Sequence, residues 1–179
     1  RIQDRERNRK PAGIHWLQTI SVRAFEPITH STNQIWTYRV PSVLGIVLAA
    51  LATLWAGRAL LNERVALIGA ALFSIGLLVG FEGMSARTDA VLLGFTTLAM
   101  AALARLHARP DAPLGARRST ALIFWGAMGC GLLIKGPVTP LIAGASLLAL
   151  VLWERRAGWL TPLAWWPGPI LALLIATPW

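Results

Sequence analysis

Cysteine is nearly absent from this chain. Cys130, the single one, sits in an apolar run, which excludes a disulfide framework and a cysteine metal site. Charge is scarce too: 14% of the residues are Asp, Glu, Lys or Arg, where a soluble domain carries about a quarter. With 55% hydrophobic residues and a mean hydropathy of +0.57, that scarcity points away from a soluble domain and predicts an all-α polytopic membrane protein. Acids are the rarest charge, eight against 17 Lys and Arg. In a membrane chain, loops facing anionic headgroups account for the net charge of +9, and no nucleic-acid partner is expected. Also missing is an apolar stretch ahead of a small-residue cleavage site, so no cleavable signal peptide is expected. The chain opens without Met and stops straight after an apolar segment, as an internal piece of a longer protein would.

What is present is a series of apolar runs, at residues 40–57, 65–81, 85–106, 119–134, 136–153 and 167–179. Each approaches the ~20 residues that a hydrocarbon core of about 30 Å demands, the shorter ones by recruiting flanks or thinning the bilayer. Residues 39–179 therefore read as a transmembrane domain of about six spans, and residues 1–38 as the remainder of an outer loop. Basic residues concentrate in alternate connections, two in 58–64, four in 105–118 and two in 154–156. The positive-inside bias places those three loops in the cytoplasm and residues 1–38, 82–89 and 135–137 on the opposite face. The basic N-terminal run goes against that bias. Either the topology is reversed or those charges meet a partner outside, and the agreement of three loops favours the partner. Gly76, Gly80, Ala127, Gly129 and Gly131 suit close helix packing. Trp36, Trp153, Trp159, Trp165 and Trp166 sit near predicted span ends, as in an aromatic belt. His107, beside a connector with Pro110 and Pro113, carries no evident role.

The stretch Lys10-Pro11-Ala12-Gly13-Ile14-His15-Trp16-Leu17-Gln18 closes a cationic run and opens a helix expected to reach about Phe25. Pro11 suits a first helical position. Ile14, Leu17, Ile20 and Ala24 share one face, and His15, Gln18, Thr19 and Arg23 the other, which predicts a helix lying at the membrane interface. Its amino end, with Arg7, Arg9 and Lys10 before it, suits a phosphate at headgroup level. A basic flank touching membrane lipids is the plainer reading of the same residues.

Two further ionisable residues stand out. Between Asp89 and Arg105 lie only fifteen residues, roughly 22 Å of helix. The third span must then run back through Asp89 and Arg87, placing a carboxylate near the outer interface. Facing lipid there costs about 2.5–3.5 kcal/mol, so Asp89 should face a cavity or a partner. A local pair with Arg87 is the bland alternative, weakened because residues two apart on a helix diverge. Lys135 follows sixteen uncharged residues and precedes Gly136-Pro137 on the same outer side. Lys10 and Lys135 there suit a phosphate, and Asp89 suits an acceptor nucleophile to orient or activate.

The Lys-Pro and Gly-Ile-His-Trp-Leu-Gln segment resembles the first periplasmic loop of bacterial family 39 glycosyltransferases, relatives of the lipid A aminoarabinose transferase and the protein O-mannosyltransferases. Ile35-Trp36-Thr37-Tyr38-Arg39-Val40-Pro41-Ser42, then Ala86-Arg87-Thr88-Asp89-Ala90, then Ile134-Lys135-Gly136-Pro137 continue the resemblance in order over nearly the whole chain. It implies a GT-C transmembrane bundle with an interfacial juxtamembrane helix, in the bacterial inner membrane with the active site facing the periplasm. It implies an enzyme moving a sugar from a polyprenyl-phosphate donor to a lipid or protein acceptor. The Lys of the family's Lys-Pro motif contacts the donor phosphate, which carries onto Lys10, with Arg9 beside it. An acidic position at the active-site cavity carries onto Asp89, and Lys135 matches a further motif position. The family's Asp-Glu motif, with the catalytic base, falls upstream of Arg1, so this piece alone should be inactive. Some relatives place Glu near a metal site where this chain has Arg9, so the resemblance carries no divalent-metal ligand onto that position.

A transporter or flippase for a lipid-linked or anionic solute is the alternative. It predicts inverted repeats and broken helices with ionisable groups at mid-membrane, whereas no internal repeat is evident here and the ionisable groups gather at one face. A membrane anchor or assembly subunit leaves Asp89 unexplained.

Overall fold

In the computed structural model, which describes residues 13–29, 34–76, 80, 88–155 and 157–178, the regular elements are all helical. They are α1 (Gly13–Thr29), α2 (Ile35–Leu60), α3 (Glu63–Ser74), α4 (Thr88–Ala108), α5 (Leu114–Lys135), α6 (Val138–Glu154), a 3₁₀ helix (Gly158–Ala164) and α7 (Pro167–Ala176). Among the described residues α2 and α4 are long and apolar enough to cross a membrane, and the 3₁₀ helix with α7, bent by 53°, adds a third only when the two are counted as one broken span. Large apolar side chains such as Leu44, Leu51, Leu141, Leu148 and Leu173 point outward, the surface a bilayer covers.

The interfacial stretch does form a helix, one that continues past Phe25 to Thr29. Its buried face differs from the expected one. Ile14, Ser21 and Val22 are buried, while Ile20 and Ala24 are exposed along an apolar groove. Pro41 supplies the reason. It stands inside α2 and has no N–H to give to the carbonyl of Thr37 four residues earlier. Ser21 Oγ donates to that carbonyl at 2.6 Å, with both residues buried. The polar side chain of α1 is thus turned inward to meet a backbone acceptor that α2 cannot satisfy itself.

The crossing of α2 and α4 is set by small residues. A Cβ on Gly45 would lie 2.5 Å from the carbonyl oxygen of Ala90, and one on Gly94 would lie 2.6 Å from that of Gly45. The pairs Gly45/Ala49 and Ala90/Gly94 are each four apart, so one face of each helix is flat enough for backbones to touch. α5 repeats the device: Gly129 lies against the backbone of Ala172 in α7, and Gly131 against the side chain of Thr139 in α6. Thr139, fully buried, shares a 2.8 Å hydrogen bond with Thr96 and joins α6 to α4. Ala127 is buried as expected, but Gly80 is exposed and serves no close contact among the described residues.

The three basic connections meet at one end of the bundle. Arg105 Nη1 donates to the carbonyl of Trp55 at 2.9 Å with its guanidinium 4.6 Å over that ring, and Arg109 Nη2 donates to the carbonyl of Arg58 at 3.1 Å. The Arg58 carbonyl belongs to the last turn of α2, where helical partners run out, and that of Trp55 lies one turn earlier. His107 Nε2 lies 3.2 Å from Glu154 Oε1, and Arg117 Nη2 donates to the carbonyl of Trp159. Trp159 is therefore not a belt residue. The chain after α6 folds back as the 3₁₀ helix and drives its ring into a core with Leu103, Leu106, Phe124 and Leu163. Trp153 and Trp166 remain outward, as expected.

Gly94→Ala should lower the unfolding free energy by about 1–3 kcal/mol, because backbone rather than a flexible side chain must move. Gly69→Ala, at an open helical position, should raise it by up to ~1 kcal/mol. Denaturant titration of the detergent-solubilised full-length protein reads both. Ser21→Ala leaves the Thr37 carbonyl buried without its donor and should cost about 1–3 kcal/mol in the same assay, with Ser21→Thr recovering part of it.

Candidate functional site

The opposite end of the bundle brings together the chemistry that the sequence leaves far apart. Asp89 lies in the first turn of α4, and Lys135 is the last residue of α5. Lys135 Nζ sits 2.5 Å from Asp89 Oδ1, a contact across 46 residues of sequence. α5 ends there because Gly136 turns the chain at φ 66°, donating its N–H to the carbonyl of Leu132, and Pro137 follows. Gly136 has the conformational freedom that this left-handed turn requires. The local alternative, an Asp89 pair with Arg87, has no counterpart among the described residues, because Arg87 lies outside them.

Below the pair lies an apolar cluster of Ile14, Val91, Leu92 and Ile134, with Leu17, Phe95 and Val138 packed against it. It fastens four helix ends together, those of α1, α4, α5 and α6. Gly13 completes the join: a Cβ there would lie 2.5 Å from the carbonyl oxygen of Leu133, so the start of α1 rests on the backbone of α5 two residues before Lys135. Lys10 and Arg9 precede Gly13 by three and four positions and lie outside the described residues.

An apolar groove of about 560 Å³ opens beside the cluster. Leu17, Ile20 and Phe25 of α1, Leu44 and Leu48 of α2, and Phe95 of α4 line it. Among the described residues its one hydroxyl, on Ser21, is turned to the Thr37 carbonyl, so the groove has no free polar group from that residue. Val91 belongs to both the groove and the cluster and stands two residues after Asp89. The end of the bundle is thus amphipathic: a charged pair at the tip and a greasy slot alongside.

The side chains of Lys135 and Asp89 are 48% and 44% exposed. At that exposure the pair contributes about 0–1 kcal/mol to stability, so its geometry is not explained by folding. Among the described residues no three His, Cys, Asp or Glu side chains come together as metal ligands. The sequence reading singled out Asp89 and Lys135 but not the features that carry α1 to them. Pro41 inside an apolar run was the available signal for the Ser21 contact; nothing in the sequence pairs Gly13 with Leu133.

Lys135→Ala should shift the thermal unfolding midpoint of the purified full-length protein by no more than a few degrees, since a half-exposed pair is worth about 1 kcal/mol at most. A collapse of tens of degrees would mean that the pair is structural.

A family model described as "Dolichyl-phosphate-mannose-protein mannosyltransferase" matches residues 19–179. The crystal structure of ArnT from Cupriavidus metallidurans in the apo state superposes with a TM-score of 0.85 at 24% identity, over 95% of this chain and 30% of that one. This chain thus spans about a third of the length of that protein, and the likeness at that identity is one of fold. No curated protein matches.

Proposed function

The chain belongs to the dolichyl-phosphate-mannose-protein mannosyltransferase family, and from that premise we propose that the full protein is a membrane glycosyltransferase using a polyprenyl-phosphate sugar donor. The acceptor is a lipid or a protein on the periplasmic side of a bacterial inner membrane. The observation that carries the reading is the meeting of Asp89 and Lys135 beside an apolar groove at one tip of the bundle. A lipid-linked phosphosugar has the matching shape, a charged head on a hydrocarbon chain.

In this reading the groove holds the part of the isoprenoid chain nearest the head. Lys135 meets the phosphate, joined by Lys10 and Arg9 from the segment that leads into Gly13. As the acceptor hydroxyl attacks the anomeric carbon from the opposite face, its oxygen bonds to that carbon, its proton passes to a carboxylate base of the full-length protein, and the carbon–phosphate-oxygen bond breaks. The polyprenyl phosphate leaves with the negative charge, which the cations stabilise. Asp89 orients the acceptor nucleophile. The gathering of the basic connections at the far end supports a cytoplasmic side there by the positive-inside bias, and with it a tip at the outer leaflet. A transporter would hold its ionisable groups at the midplane, whereas this pair stands at helix ends.

In the full-length protein, Asp89→Asn and Lys10→Ala should each lower sugar transfer by about 10²-fold or more while leaving membrane insertion intact. Radiolabelled donor with membranes from a deletion strain reads the transfer. Mass spectrometry of lipid A and periplasmic glycoproteins from that strain identifies the acceptor. Solute transport by the reconstituted protein with no transfer product would overturn the reading.

A further inference from the structure

The pair at the ends of α4 and α5 joins two groups whose tasks in glycosyl transfer conflict. An ammonium that neutralises a phosphate has to turn toward it. A carboxylate that holds an acceptor hydroxyl has to be open to that hydroxyl. Here each occupies the other, with Lys135 Nζ 2.5 Å from Asp89 Oδ1.

Both backbones are held. Lys135 stands between buried Ile134 and buried Gly136, whose N–H is bonded to the Leu132 carbonyl. Asp89 precedes Ala90, which is buried against Gly45. Both side chains, by contrast, are about half exposed. Motion at this site therefore belongs to the side chains, and lysine suits it as a point charge on a flexible four-carbon stem. The donor's phosphodiester matches a carboxylate in its single negative charge and two free oxygens, so it can take over the ammonium's charge-assisted hydrogen bonds in the carboxylate's place.

We propose that Asp89 and Lys135 form an exchange pair: the donor's phosphate takes the Lys135 ammonium from Asp89, and the carboxylate becomes more available to the acceptor once the donor is seated. The inference rests on the glycosyl-transfer reading and adds an order of events to it. Until the donor binds, Asp89 Oδ1 is engaged by the ammonium, so an acceptor alone meets an ion pair rather than a free carboxylate. Competition for one ammonium has a reciprocal consequence. Asp89 opposes donor binding even though transfer needs it.

Isothermal titration of sugar-free farnesyl phosphate into the full-length protein in nanodiscs tests this. Asp89→Asn should tighten farnesyl phosphate binding about two- to fivefold, the worth of an exposed ion pair. Lys135→Ala should weaken it about tenfold, and in the double variant the Asp89→Asn gain should vanish. Thermal unfolding establishes that each variant is folded, and Asp89→Ser replaces Asp89→Asn if the latter fails to insert. Unchanged or weaker binding in the folded Asp89 variant overturns the exchange and leaves the glycosyl-transfer reading standing. A wild-type protein that binds no farnesyl phosphate overturns both.

Discussion

A missing backbone donor organises the Asp89–Lys135 end of this protein. Pro41 leaves the Thr37 carbonyl without its helical partner in the interior of α2, and an unpaired buried carbonyl is too costly to leave alone. Ser21 fills the vacancy. That contact holds the middle of α1 against α2, and the contact of Gly13 with the Leu133 backbone holds its beginning against α5. Between them they hold the start of α1 at the tip that carries Lys135 and Asp89. They also turn the one hydroxyl of the neighbouring groove away from its interior, so a slot for hydrocarbon lies beside a site for charge.

The two ends of the bundle use cations differently. At the loop end Arg105, Arg109 and Arg117 donate to main-chain carbonyls, that of Arg58 in the last turn of α2 among them. Their charges are committed to the backbone. At the tip Lys135 meets a carboxylate in a half-exposed pair that stability hardly requires. Arginine, rigid and forked, suits the first task; lysine, a mobile point charge, suits the second.

The small-residue crossing of α2 and α4 ties fold to site. Gly45 and Gly94 bring the two backbones into contact one helical turn from Asp89. A larger residue at either position would push α4 outward and carry Asp89 away from Lys135. The site is therefore as exact as that crossing.

Much of this could be read in the amino-acid sequence alone. Its apolar runs and sparse charge determined the helical membrane class, since only internally satisfied helices suit such a chain in lipid. Its alternating arginines sorted the connections, which do gather at one end of the bundle, and the isolation of Asp89 and Lys135 among apolar residues singled out both. Tertiary structure alone decided their partnership, the buried face of α1 and the inward turn of Trp159. Those depend on which backbones approach closely enough to touch, and on which carbonyl is left without a donor. Periodicity reports the faces of one helix at a time; a contact between residues 46 apart exists only after several helices have packed.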